Sequence, residues 1–90
     1  MRLSATAYCE SGRTRSGEHT RVGVVAADPR VLPIGTVVRI PSRGRTYEVL
    51  DTGSAIKGRG LDIYMPSCRA AKRFGRRRLQ VQIVGRTSLR

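Results

Sequence analysis

The chain has no tryptophan, one phenylalanine and three tyrosines. With four aromatic rings in 90 residues, the core has to be built from Val, Ile, Leu and Ala. Val and Ile favour strands. There is one histidine and there are two cysteines, too few to supply the four ligands of a structural zinc site. No metal and no cofactor is expected. Long apolar runs are also missing. No stretch approaches the ~20 apolar residues that a spanning helix needs, so no membrane span is expected. Met1 leads directly into Arg2-Leu3-Ser4, without the apolar region of an export signal. On this reading the chain is cytosolic, or an export signal has been removed from it. Acid is the scarcest class of charge: six Asp and Glu stand against eighteen Lys and Arg, a net charge of +12. A chain this basic attracts polyanions, whether nucleic acid, anionic lipid or an acidic cell wall.

Ninety residues make one domain, residues 1–90, with a small core. Ten Gly and four Pro punctuate it as a small all-β fold requires. Residues 3–8 alternate apolar and polar, the mark of a half-buried strand. Residues 10–21 are a polar loop. Further strands are expected over 22–27, 36–40, 46–50, 61–65 and 79–84. Ser67 is placed to cap a helix over 68–74, which Gly75 ends in a left-handed conformation. Residues 85–90 read as a frayed tail. Six short strands and one helix most simply close into a small barrel, which removes exposed edges. A shift of 23 residues lays Val24–Asp28 on Tyr47–Asp51, Gly35 on Gly58 and Ile40 on Ile63. That repeat fits a two-fold barrel.

The three aspartates, Asp28, Asp51 and Asp62, fall at ends or within apolar strand-like runs, beside Gly and Pro turns. Rigid strand ends hold side chains in fixed geometry. Asp51 and Asp62 are joined by the loop from Thr52 to Leu61. If the flanking strands are neighbours, both carboxylates face one groove, an arrangement suited to acid/base work on a glycosidic bond. Asp62 lies between Leu61 and Ile63, where desolvation raises a carboxyl pKa and keeps the proton available to a leaving oxygen. Asp28, before Pro29, also suits an Asx turn. Candidate substrate contacts are Thr14 and Gly17 in the polar loop and Thr52, Gly53 and Lys57 after Asp51. His19 reads as a surface residue.

Cys9 and Cys68 are either a disulfide or two buried thiols. We expect the disulfide, which closes most of the chain, is worth about 4 kcal/mol on the chain-entropy model and implies an oxidising compartment.

Several segments carry a resemblance: Ala7-Tyr8, Gly12–Gly17, Ala26–Pro29, Leu32–Thr36, Asp51–Gly58 (DTGSAIKG), Leu61–Tyr64 and Ala71–Gly75. In this order they resemble the 3D domain, a family named for three aspartates, and the related C-terminal part of membrane-bound lytic murein transglycosylase A. The resemblance implies a six-stranded double-psi β-barrel. It implies cleavage of peptidoglycan glycan strands between N-acetylmuramic acid and N-acetylglucosamine, leaving 1,6-anhydro ends, outside the cell or in its wall. By position, Asp62 looks like the acid/base residue, Asp51 its partner and Asp28 a third member that orients the loops. Arg15 sits where many relatives carry a small residue. The partners implied are peptidoglycan glycan strands, with anionic wall polymers, and no specific nucleic acid. The alternatives are a wall-binding barrel without turnover and a basic barrel that binds nucleic acid or protein.

Overall fold

The computed structural model describes residues 1–53 and 56–87. Ser54 and Ala55 of the DTGSAIKG motif, and the last three residues of the expected tail, lie outside them. Seven strands form one sheet: β1 (Arg2–Tyr8), β2 (Val24–Ala27), β3 (Thr36–Ile40), β4 (Arg45–Asp51), β5 (Gly60–Tyr64), β6 (Arg77–Gln80) and β7 (Gln82–Arg86). A short 3-10 turn covers Pro41–Arg43, and one helix, α1, covers Cys68–Phe74. The sheet order is β6-β1-β5-β2-β4-β3-β7.

The reading of mostly β structure with one short helix holds. The expected six strands closed into a barrel are corrected on two points. The run 79–84 is two strands, because the chain breaks at Val81 and continues on the opposite edge of the sheet. The hydrogen-bonded ladder is therefore open, with β6 and β7 as its edges. Val81 is fully buried, and its amide and carbonyl bond the carbonyl and amino group of Met1. Burial thus overrides the strand alternation, and Ile83, expected inward by period, is 55% exposed. Gly85 and Arg86 belong to β7 rather than to a tail.

β2 lies in the middle of the sheet and is buried along its length, which is why it reads as a continuous apolar run. It runs parallel to β4 and antiparallel to β5, while β1 runs parallel to β5. The segments related by the 23-residue repeat are thus neighbouring strands. Val25 and Ala27 join Leu3, Ala5, Val49, Leu61 and Ile63 in one core cluster. Ser4, Thr6, Ala26 and Asp62 alternate with those residues and face the other way.

The helix has the expected limits. The Ser67 hydroxyl accepts from the Ala70 amide at 3.1 Å, and Gly75 follows with φ +65°. Ala71 and Phe74 are buried, but Cys68 is not part of that buried face. It bonds Cys9 instead, with Cα atoms 5.0 Å apart, and so fastens the helix to the end of β1. Reduction, or the double substitution Cys9→Ser/Cys68→Ser, should remove roughly 2–4 kcal/mol of stability. A lower urea midpoint with an unchanged folded spectrum is the expected result. An unchanged midpoint would show that the bridge does not limit the unfolded chain.

Candidate functional site

The site is built on one row of the sheet. Thr6 of β1 pairs with Asp62 of β5, Asp62 pairs with Ala26 of β2, and Ala26 pairs with Asp51 of β4. The last pairing depends on an irregularity. Val25 faces Val49, but the register then shifts so that Ala26 meets Asp51 instead of Leu50. A one-residue slip moves a side chain to the opposite face, so this shift is what brings Asp51 into the row of Asp62. Two strand spacings separate the two backbones, about 10 Å. Ala26, on the strand between them, pairs with both.

The three aspartates occupy different environments. Asp62 is half-buried, and Thr6 Oγ1 donates to its Oδ1 at 2.9 Å. Desolvation holds its carboxyl above the ordinary range, against the Thr6 hydrogen bond and with the charge of Glu10 adding to the rise. Asp51 Oδ1 accepts from its neighbour Thr52 N and from Arg15 N, both at 2.9 Å. Asp51 thereby pins the polar loop against the end of β4, and Ser16 N adds a bond to the Leu50 carbonyl. Arg15, the unusual residue of that loop, makes this contact through its backbone. Asp28 is 3% exposed. Its Oδ1 accepts from Arg30 N and Nε, and its Oδ2 from Arg30 Nη2 and, at 2.8 Å, from Gly58 N. The Arg30 side chain first, then the Gly58 and Arg30 amides, hold the Asp28 carboxyl well below the usual range. This carboxylate ties the loop after Asp51 to the end of β2. Gly58 makes its bond with φ +58°, a backbone conformation that favours glycine.

A groove of about 500 Å³ runs past Asp62, lined by Ser4, Thr6, Ile56, Lys57, Arg59, Gly60, Leu61 and Arg76. Of the expected substrate contacts, Lys57 lines it. Thr52 and Gly53 follow Asp51 directly, and the Thr52 amide is taken by that carboxylate. Thr14 and Gly17 are not on this groove. The Thr14 hydroxyl donates to the Glu18 carbonyl and shares a bond with Ser16, while Gly17 accepts from Arg13 and turns with φ +95°. The sequence reading missed Thr6, Arg59 and Arg76. Thr6 had a signal, since Ser4, Thr6 and Tyr8 form the alternate face of β1. Among the described residues no three His, Cys, Asp or Glu are grouped to hold a metal ion, and no helix is long and apolar enough to cross a membrane.

The 3D domain model matches residues 23–85, a span that holds all three aspartates and six of the seven strands, wholly or nearly so. The chain belongs to the 3D domain family. It is similar to YabE of Bacillus subtilis, a protein named for cell wall shaping, with 36% identity over 94 residues, 93% of this chain and 23% of that protein. It is also similar to the cell wall-binding protein YocH of Bacillus subtilis, with 32% identity over 93 residues, 93% of this chain and 32% of that one. The chain therefore spans less than a third of either relative's length. Among solved structures, MltA from E. coli matches with a TM-score of 0.64 and 26% identity, over 84% of this chain and 28% of that one. MltA with bound chitohexaose matches with a TM-score of 0.65 over 88% of this chain and 29% of that one, at 21% identity. The second likeness is one of fold.

One buried group in the site has no partner. Among the described residues nothing bonds the Tyr8 hydroxyl, which is shut off from solvent. Its ring stands edge-on to Tyr64 with centroids 5.5 Å apart. Burial, and then the charges of Asp51 and Asp62, push its pKa far above the ordinary tyrosine value. An unpaired buried hydroxyl costs about 1–3 kcal/mol. Tyr8→Phe should therefore raise stability by about 1 kcal/mol or more, seen as a higher urea midpoint. A fall of that size would show that the hydroxyl is bonded.

Asp28 gives a test in pH. Its folded pKa is depressed, so its contribution to stability is complete above the ordinary carboxylate range and is lost as pH falls through the lower folded value. In Asp28→Asn the acid side of the Tm–pH curve should flatten, and the Gly58 amide should exchange faster. An unaltered acid limb with unaltered Gly58 exchange would remove the tether.

Proposed function

We propose that this domain cleaves peptidoglycan glycan strands as a lytic transglycosylase, with Asp62 as its acid and base. The observation that carries this reading is Asp62 itself: a carboxyl in a groove, half-desolvated, with its pKa raised and one oxygen oriented by Thr6. A protonated Asp62 donates its proton to the glycosidic oxygen as the bond to the muramic acid anomeric carbon breaks. The 6-hydroxyl of the same sugar attacks that carbon and returns its proton to Asp62. The products are a free hydroxyl on one sugar and a 1,6-anhydro ring on the other, with no water consumed. Intramolecular attack brings a large proximity advantage, so no second carboxylate has to activate a nucleophile. Asp51 then serves as a partner that pins the polar loop to the end of β4, and Asp28 orients the loop between them. The 3D family match, the wall-related names of the two relatives and the MltA fold support the substrate and a place in the wall or outside the cell. The disulfide fits that compartment. For the fold, we infer the double-psi arrangement of the family, supported by edge strands separated by Val81 alone.

A second reading is wall binding without turnover, favoured by the name of YocH, a cell wall-binding protein. Incubation with purified peptidoglycan and mass spectrometry of the released fragments separates the two. We expect anhydro-muropeptides from the unaltered domain and none from Asp62→Asn, with sedimentation on the wall retained. Fragments with reducing ends would replace the anhydro route with hydrolysis. Sedimentation without fragments would favour the binder. The pH profile adds a sign. The reaction starts from protonated Asp62, so the rate should fall as pH rises through its elevated pKa, and a rate still rising well above the ordinary carboxylate range would exclude Asp62 as the acid.

A further inference from the structure

The Asp62 groove continues away from the carboxylate into a depression of about 270 Å³ lined by Arg2, Ser4, Arg59 and Arg78. The two share Ser4 and Arg59. They follow the outer face of β1 from Thr6 back to Arg2, four residues or about 14 Å. Five cations line this track, Arg2, Lys57, Arg59, Arg76 and Arg78, and the one acid on it is Asp62. Among the described residues the ion pairs are Arg21 with Glu18 and Glu48, and Arg30 with Asp28. None involves the five. Two of them are instead held to the track: the Arg76 guanidinium donates to Ser4 Oγ at 3.2 Å, and that of Arg59 to the Arg2 carbonyl at 3.3 Å. Gly60 pairs with Ser4 and leaves the floor between them without a side chain. Like charges gathered in a cleft repel one another and focus a positive field.

We propose that this track binds the carboxylates of an acidic glycan, so that the domain selects a carboxylate-bearing strand over a neutral amino-sugar polymer. The spacing suits a ligand that carries charge along its length and not at one point. The inference rests on the reading of Asp62 as the place where the glycan chain is cut, and it adds the side from which the charged part of the strand enters.

The test uses the domain with Asp62→Asn, so that ligand is not consumed, and measures binding by calorimetry. The probes are soluble peptidoglycan fragments stripped of teichoic polymers, the same fragments with carboxylates amidated by carbodiimide and ammonia, and chitohexaose. Fragments with free carboxylates should bind most tightly. Arg59→Gln/Arg76→Gln should weaken them by about two- to fivefold per cation, the size of an exposed ion pair, and should leave chitohexaose unchanged. A control with the same charge, Arg39→Gln/Arg69→Gln, should weaken neither. Equal affinity for free and amidated fragments would overturn the proposal, as would equal losses in the two double variants. Stronger track-dependent binding of teichoic polymer or DNA would assign the track to phosphate instead. Cleavage by the unaltered domain is scored separately. No cleavage with the carboxylate preference intact would sink the transglycosylase reading and leave this one. Equal cleavage of amidated and free wall would do the reverse.

Discussion

The site depends on a single break in register. Between Val25 and Ala26 the pairing of β2 with β4 slips by one residue, and Asp51 takes the place that Leu50 would hold in a regular ladder. Leu50 is then free to be fully buried. Without the slip, Asp51 would stand on the opposite face from Asp62, where Val25, Val49 and Ile63 form the core. A carboxylate there would meet the full desolvation penalty. The same irregularity thus protects the core and assembles the site. β2 is its hinge, because its central position makes it partner to both aspartate-bearing strands.

Around that row the environment sorts three chemically identical side chains. Asp28 is saturated by four donors, two in the Arg30 guanidinium and two backbone amides, those of Arg30 and Gly58. Hydrogen bonds to the charged form favour it, so Asp28 is held as a permanent anion that fixes a loop. Asp62 has one hydroxyl donor and partial burial, and burial wins, which favours the neutral form. Asp51 accepts two amides on one oxygen. A residue suited to exchanging a proton has to be near balance between its two states. Asp62, unlike Asp28, has an environment that moves toward that balance.

The elements of this fold were mostly legible from local chemistry. Ser67 and Gly75 bound the helix, and the apolar run of β2 predicts a buried strand. Legibility failed where a long-range demand competed with a local pattern. The 79–84 alternation is continuous in sequence, yet Val81 is drawn into the core beside the chain start and splits the run. The site was legible as residue types and spacing, so Asp62 and Lys57 were found on the groove. Thr14 and Gly17 were not, because a polar loop satisfies its own backbone as readily as it binds a ligand. Thr6, Arg59 and Arg76 come to the groove from separate segments, through pairing of β1 with β5 and the approach of the chain before β6. No local pattern encodes that meeting.

Charge and burial act on neighbouring parts of one groove. Cations near a carboxyl favour its ionised form, yet on Asp62 burial comes first and the charge of Glu10 adds to it, and the shift is upward. If the domain is a transglycosylase as proposed, a glycan seated in the groove removes further water from the carboxyl, and that favours the protonated form. The cations of the track would then decide where a strand lies, and burial would decide whether Asp62 holds its proton. Binding and proton transfer are in that case set by different residues, so a change in one need not disturb the other.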